Sequence, residues 1–184
     1  MLVELSAKRA ALLKEAFPKL SQGTVLWNPD RPDNRPEVQA MQEGGTRAGI
    51  KVRSAEARSR EELASQLDAI GWDGTQAILN AGDTLLGSSA QSIVDRAAKL
   101  KLPALYEDRD YVIRGGLMSY GPDMRAMHRR AAEFVDKILK GAKPADLPIE
   151  QPTRFDFVLN KKAAKALGVT FPPIILLQAT EVIE

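Results

Sequence analysis

Several apolar runs in this 184-residue chain end in polar side chains able to hold a small molecule. Asn28-Pro29 follows Thr24–Trp27, Asn80-Ala81-Gly82-Asp83 closes Ala77–Asn80, and Tyr106-Glu107 closes Ala104–Tyr106. A further run, Ile50–Arg53, leads into Arg53-Ser54-Ala55. Amide, carboxylate and phenol groups in that arrangement offer hydrogen bonds, a negative charge and an aromatic wall. Such a set suits a small polar or zwitterionic organic ligand, with Asn28, Asp83 and Tyr106 as contacts. Turns also draw Asn, Asp and Gly to strand ends, so a purely conformational reading stands beside the functional one.

Other chemistry is thinly represented. There is no Gly-x-Ser-x-Gly elbow, P-loop or His-Glu-x-x-His pair. The single histidine, His128, rules out a histidine-rich metal site within one chain. Glu107, Asp108 and Asp110 read as a hard-cation cluster or, more simply, as a charged loop. Lys161, Lys162 and Lys165 read as a solvated helix face. A net charge of +2, with both signs interspersed, gives no electrostatic case for nucleic acid. Without cysteine there is no disulfide or thiol chemistry. We therefore expect neither cofactor nor metal, and binding rather than catalysis. The alternative is a flavodoxin-like enzyme or signalling domain using Asp83, or a vestigial interaction protein.

The elements that must position these residues alternate. Leu5, Leu12, Leu13 and Ala16 share a face of an opening helix. The strand Thr24–Trp27 precedes a helix that Asn34 caps and Gly49 ends, with Gly44 and Gly45 marking close packing or a fraying end. Strand Ile50–Arg53 precedes a helix opened by the Ser59/Glu62 capping box. Strand Ala77–Asn80 and the loop AGDTLLG lead to a helix capped by Ser89, then to strand Ala104–Tyr106. Short apolar strands alternating with helices predict a doubly wound parallel α/β sheet over residues 20–106. Trp27 and Trp72 read as core residues.

Beyond Tyr106 come Gly115-Gly116, a strand Leu117–Tyr120, and a helix begun by Gly-Pro-Asp and ended by Gly141. A proline-spaced crossing and a strand Phe155–Leu159 follow. GGLMSYGPD (115–123) and LKGAKPADLP (139–148) resemble the closing segment of periplasmic solute-binding proteins of type I fold that serve ATP-binding-cassette importers. The likeness runs from Lys8 to Glu184 and is strongest to the uncharacterised and tryptophan/tyrosine-binding group. It implies one lobe of such a protein plus the returning strand-helix segment of the other. Residues 1–112 and 149–184 would form the second lobe, and 113–148 the returning segment and hinge. It further implies Tyr120 near the hinge, a glycine hinge at Gly115 and Gly116, a small solute such as an aromatic amino acid, and a membrane permease as partner.

Against that family the chain begins where the second lobe begins, which implies a truncated protein. Its first residues lack the pattern of a signal peptide. The expected location is periplasmic by resemblance and cytoplasmic if the chain is expressed as written. From Asp123 to Lys140, Met127, Ala131, Phe134, Val135, Ile138 and Leu139 form an apolar stripe. That stripe predicts either fold-back onto the sheet or a homodimer through residues 123–140. The dimer is the favoured outcome, and the linker 143–152 is long enough for domain swapping.

Overall fold

The computed structural model describes residues 2–184. The strands are β1 (Gln22–Trp27), β2 (Lys51–Glu56), β3 (Ile78–Asn80), β4 (Ala104–Tyr106), β5 (Met118–Pro122), β6 (Phe155–Asn160) and β7 (Glu181–Ile183). They form one 7-stranded sheet in the order β2-β1-β3-β4-β5-β6-β7. All pairings from β2 to β5 are parallel, β6 runs antiparallel to β5, and β7 is parallel to β6. The four-stranded parallel sheet expected over residues 20–106 is its first part.

The helices are α1 (Leu2–Ala16), α2 (Asn34–Ala48), α3 (Arg60–Ala69), α4 (Thr84–Ser88), α5 (Ala90–Lys99), α6 (Arg109–Ile113), α7 (Met124–Leu139), α8 (Lys161–Leu167) and α9 (Pro173–Gln178). Successive strand residues point to opposite faces, and the sequence supplies apolar side chains to both. Val25, Trp27, Leu79 and Leu105 meet Leu5, Leu12 and Leu13 of α1 with Val38 and Met41 of α2. Leu26, Ile78, Ala104 and Tyr106 meet Leu63 and Leu67 of α3 with Ile93 and Val94 of α5. Two covered faces explain why these strands read as unbroken apolar runs.

Gly44 and Gly45 serve close packing. A Cβ on Gly44 would lie 2.7 Å from the Ala7 carbonyl oxygen of α1, and one on Gly45 would lie 2.6 Å from Val52 of β2. The Ser59 cap forms as expected, its side chain accepting from the Glu62 N–H at 3.2 Å. Two caps differ. Asp33, not Asn34, holds the cap position of α2, and Asn34 is the buried first residue of the helix. Ser89 stands at the start of α5 without a side-chain cap bond. The preceding loop winds into α4 instead, capped by Asp83.

Two expectations are corrected, and one of two alternatives is removed. The strand after Gly116 does not leave for another lobe: β5 pairs with β4 on one side and β6 on the other, inside this sheet. Of residues 113–148, only those beyond Pro122 form a separate arm: α7, a 3-10 turn Pro144–Asp146 and the strand-free linker. Trp72 is not core but 90% exposed. It sits in the turn between α3 and β3, where Gly71 and Gly74 take positive φ and Arg53 clamps Asp73 at 2.8 Å. Finally, α7 buries none of its residues, so its apolar stripe does not fold back onto the sheet.

Candidate functional site

Strand order locates the crevice. From β1 the chain crosses outward to β2, then returns past β1 to β3, so the helices of the two crossovers lie on opposite faces. That reversal makes the C-terminal ends of β1 and β3 the switch point, the place where open α/β sheets bind ligands. Asn28 follows β1 and Asp83 follows β3, and the structure brings them together, with Asn28 Nδ2 donating to Asp83 Oδ2 at 3.4 Å. Both side chains are locally anchored. Asn28 Oδ1 accepts from the Asp30 N–H at 3.0 Å, and Asp83 Oδ1 caps α4 by accepting from the Leu85 N–H at 2.7 Å. Both residues are half-buried. Together they present an amide and a carboxylate, already oriented, to the crevice.

The other predicted contacts lie elsewhere. Tyr106 is fully buried, its ring stacked on Tyr111 at 4.6 Å between centroids, and burial drives its phenol pKa upward. Tyr120 is nearly buried, edge-on to Phe157 at 6.0 Å, with the Lys8 ammonium 4.8 Å above its ring. Arg53, Ser54 and Ala55 lie within β2 rather than beyond it. The exposed residue past that strand end is Arg58, which reaches Glu56 at 3.0 Å and Asp30 at 3.6 Å.

Gly115 and Gly116 stand at the opposite, N-terminal edge of β5. Gly115 takes φ +103°, and a Cβ on Gly116 would lie 2.6 Å from the Tyr106 ring. They make a tight turn beneath the stacked tyrosines. The chain leaves the sheet at Pro122-Asp123 and returns at Arg154-Phe155, the two crossings joined by Asp123 N–H donating to the Arg154 carbonyl at 3.0 Å. Asp123 also caps α7 through the Ala126 N–H at 2.9 Å. Beside it the Asp156 carboxyl is shifted up, chiefly by burial and then by the Asp123 charge.

The comparisons bear on this architecture. The family description "ABC transporter substrate binding protein" matches residues 3–183. The chain belongs to that family. Solved structures agree. A conserved domain protein from Vibrio cholerae is 27% identical with a TM-score of 0.85, over 96% of this chain and 60% of that one. An ABC domain from Streptococcus pneumoniae in complex with L-Trp is 26% identical with a TM-score of 0.87, over 98% of this chain and 62% of that one. A D-allose-bound periplasmic solute-binding protein from Actinobacillus succinogenes covers 89% of this chain and 61% of its own at 16% identity and TM-score 0.65, a likeness of fold. No curated protein sequence matches. The chain thus spans about three-fifths of the length of these structures.

In this substrate-binding fold the remaining motifs fall away from the crevice. The acidic trio diverges: Asp108 caps α6 through the Asp110 N–H at 2.7 Å, Asp110 is exposed, and Glu107 turns inward. Among the described residues no group of three or more His, Asp and Glu is placed to hold a metal ion. His128 is exposed on α7, and Lys161, Lys162 and Lys165 are exposed on α8. No helix among the described residues is long and apolar enough to cross a membrane.

Sequence reasoning missed Arg9, Ser6 and Glu37, charged or polar groups buried beside the site. Arg9 and Glu37 approach within 3.8 Å, and Ser6 Oγ donates to Glu37 at 3.3 Å. The signal was present but faint: Ser6 and Arg9 fall among Leu5, Leu12 and Leu13 on the face the opening helix buries.

Proposed function

We propose that this chain is the substrate-binding component of an ATP-binding-cassette importer. It holds a small organic solute, such as an amino acid, at the C-terminal strand ends and acts with a membrane permease on the periplasmic side. The observation that carries this reading is the oriented Asn28–Asp83 pair at the topological switch point of the sheet. The L-Trp complex of a relative 26% identical supports an amino acid over a sugar. Asp83 is the group for an ammonium and Asn28 for a carboxylate or amide; Tyr120 stands at the hinge.

One lobe encloses less of a ligand than the 70–90% typical of a good pocket, so this chain should bind at weaker than micromolar strength. Titration calorimetry with L-amino acids and sugars tests the reading. We expect an amino acid to bind and Asp83→Asn to weaken it by roughly tenfold, the loss of one charge-assisted hydrogen bond. A sugar preference, or an Asp83→Asn variant that binds as well as the parent, would overturn it.

We further propose that residues 123–140 pair with a second copy. Met127, Val135, Ile138 and Leu139 are exposed on α7, and a groove of about 450 Å³ runs between Met127, Ala131, Phe134 and the linker at Pro152. An antiparallel pairing centred between Arg130 and Ala131 sets Met127 of one copy against Phe134 of the other, and Arg125 against Asp136. Light scattering should find a dimer that Val135→Asp dissociates. A monomer at high concentration would refute it.

A further inference from the structure

The C-terminal end of β5, where the arm departs, is gripped from inside the lobe by a charged cluster outside the ligand crevice. Arg9 of α1 is 1% exposed, and its Nε donates to the Tyr120 carbonyl at 2.8 Å. Its Nη1 lies 3.8 Å from Glu37 of α2 and 3.4 Å from Ser6 Oγ. At the adjacent strand end, Glu107 interacts with Arg9 electrostatically, beyond ion-pair contact. A Cβ on Gly121 would lie only 1.8 Å from the Glu107 carbonyl oxygen, so β5 and the residue after β4 are pressed backbone to backbone. The Glu107 N–H is held by Asn80 Oδ1 at 3.3 Å, while its Oε2 is sealed from solvent without a hydrogen-bond partner among the described residues.

We propose that Arg9 is a positioning residue for the hinge: by holding the Tyr120 carbonyl it sets the angle at which residues 123–154 leave the sheet, and Glu107 competes for the same guanidinium when ionised. A guanidinium stays charged in proteins and offers donors in a fixed fork. One donor is committed to the hinge strand, and the others face Ser6 and Glu37. Burial raises the Glu107 carboxyl to about 8, against the opposing pull of Arg9, with Asp108 raising it a little further. Below that pH it is a neutral acid, and Arg9 answers to Glu37 and Tyr120 alone. Above it, a second buried negative charge draws the guanidinium toward β4 and loosens its hold on β5. The other ionisable groups around Glu107 are Tyr106 and Tyr111, whose phenols burial keeps neutral, and Asp110 and Arg114, which line a surface pocket with it.

The inference rests on the hinge geometry and on no particular solute, so it is tested without ligand. The chain has no cysteine, so Ser92→Cys on α5 and Ala132→Cys on α7 give one spin-label pair spanning lobe and arm, diluted in unlabelled protein. We expect a narrow distance distribution near pH 7 that broadens near pH 9. Arg9→Met should be broad at both, with Arg9→Lys intermediate because an ammonium restores one donor. Glu107→Gln should stay narrow at both. A folded Arg9→Met variant as narrow as the parent would overturn the proposal, as would Glu107→Gln broadening with pH like the parent. If Arg9→Met does not fold, Glu107→Gln alone decides between these outcomes. Solute affinity measured on the same variants is a separate axis: lost binding with unchanged distances counts against the solute reading and not the hinge.

Discussion

The lobe and the arm carry similar proportions of apolar residues and use them in opposite ways. In the lobe, Val25, Leu26, Ile78, Leu79 and Leu105 are completely buried between helices on two faces. In the arm, α7 carries an equally regular stripe and buries none of it, leaving Leu139 82% exposed. Polar contacts hold the arm together instead: Arg130 Nε donates to Glu150 Oε2 at 2.7 Å, and its guanidinium lies 4.9 Å from the Phe134 ring centre. Amphipathic pattern alone therefore distinguishes a helix meant for burial but not the surface that buries it. A lobe closes on itself, whereas an arm needs something beyond its own fold.

Substitution can break that comparison. Met41→Ala, in the fully buried contact of α2 with the sheet, should cost roughly 2–5 kcal/mol in chemical denaturation. Val135→Asp on α7 should change the lobe's stability by less than about 0.5 kcal/mol while abolishing self-association. Equal costs would mean that arm and lobe unfold as one unit. Gly121→Ala tests the seam between the regions. The added methyl has no room against the Glu107 backbone, so a loss of roughly 3 kcal/mol is expected, the upper range for overpacking. A soluble variant melting like the parent would show that the seam yields.

The seam should also respond to pH. The Glu107 carboxyl rises in the folded state from 4.5 to about 8, so the folded chain holds a proton that the unfolded chain releases. Stability from this group is complete below about pH 4.5, falls as pH rises through this window, and levels off above about pH 8. The slope is on the order of 1 kcal/mol per pH unit. Melting curves of Glu107→Gln should lack this slope; an unchanged slope would place its origin elsewhere. The smallest effect is expected at Trp72→Ser, within about 0.5 kcal/mol, because the ring touches little and the turn is set by Gly71, Gly74 and the Arg53–Asp73 pair. A larger loss would reveal packing that the exposed ring does not show.

Local chemistry made much of the lobe legible. The Ser59 cap, the Gly49 and Gly141 helix ends and the Asp123 start all rest on interactions within a few residues, and each forms. The apolar runs at Thr24–Trp27 and Ala104–Tyr106 implied strands covered on both faces, and with them a parallel sheet whose C-terminal edge carries Asn28 and Asp83. What the sequence could not decide was which way a side chain turns and how far apart in the chain its neighbours lie. Tyr106 and Glu107 are adjacent and point to opposite faces, so the tyrosine joins the core while the carboxyl turns toward Arg9, 98 positions away. The strand Met118–Pro122 has the same local character whichever sheet it joins; only the ladder to β4 and β6 assigns it to this one. Spacing along the chain records helix faces, strand alternation and caps because these arise within a few residues. Register between distant strands and the pairing of buried charges arise only when the folded chain excludes water and the whole arrangement is balanced at once, and the tertiary structure alone settles them.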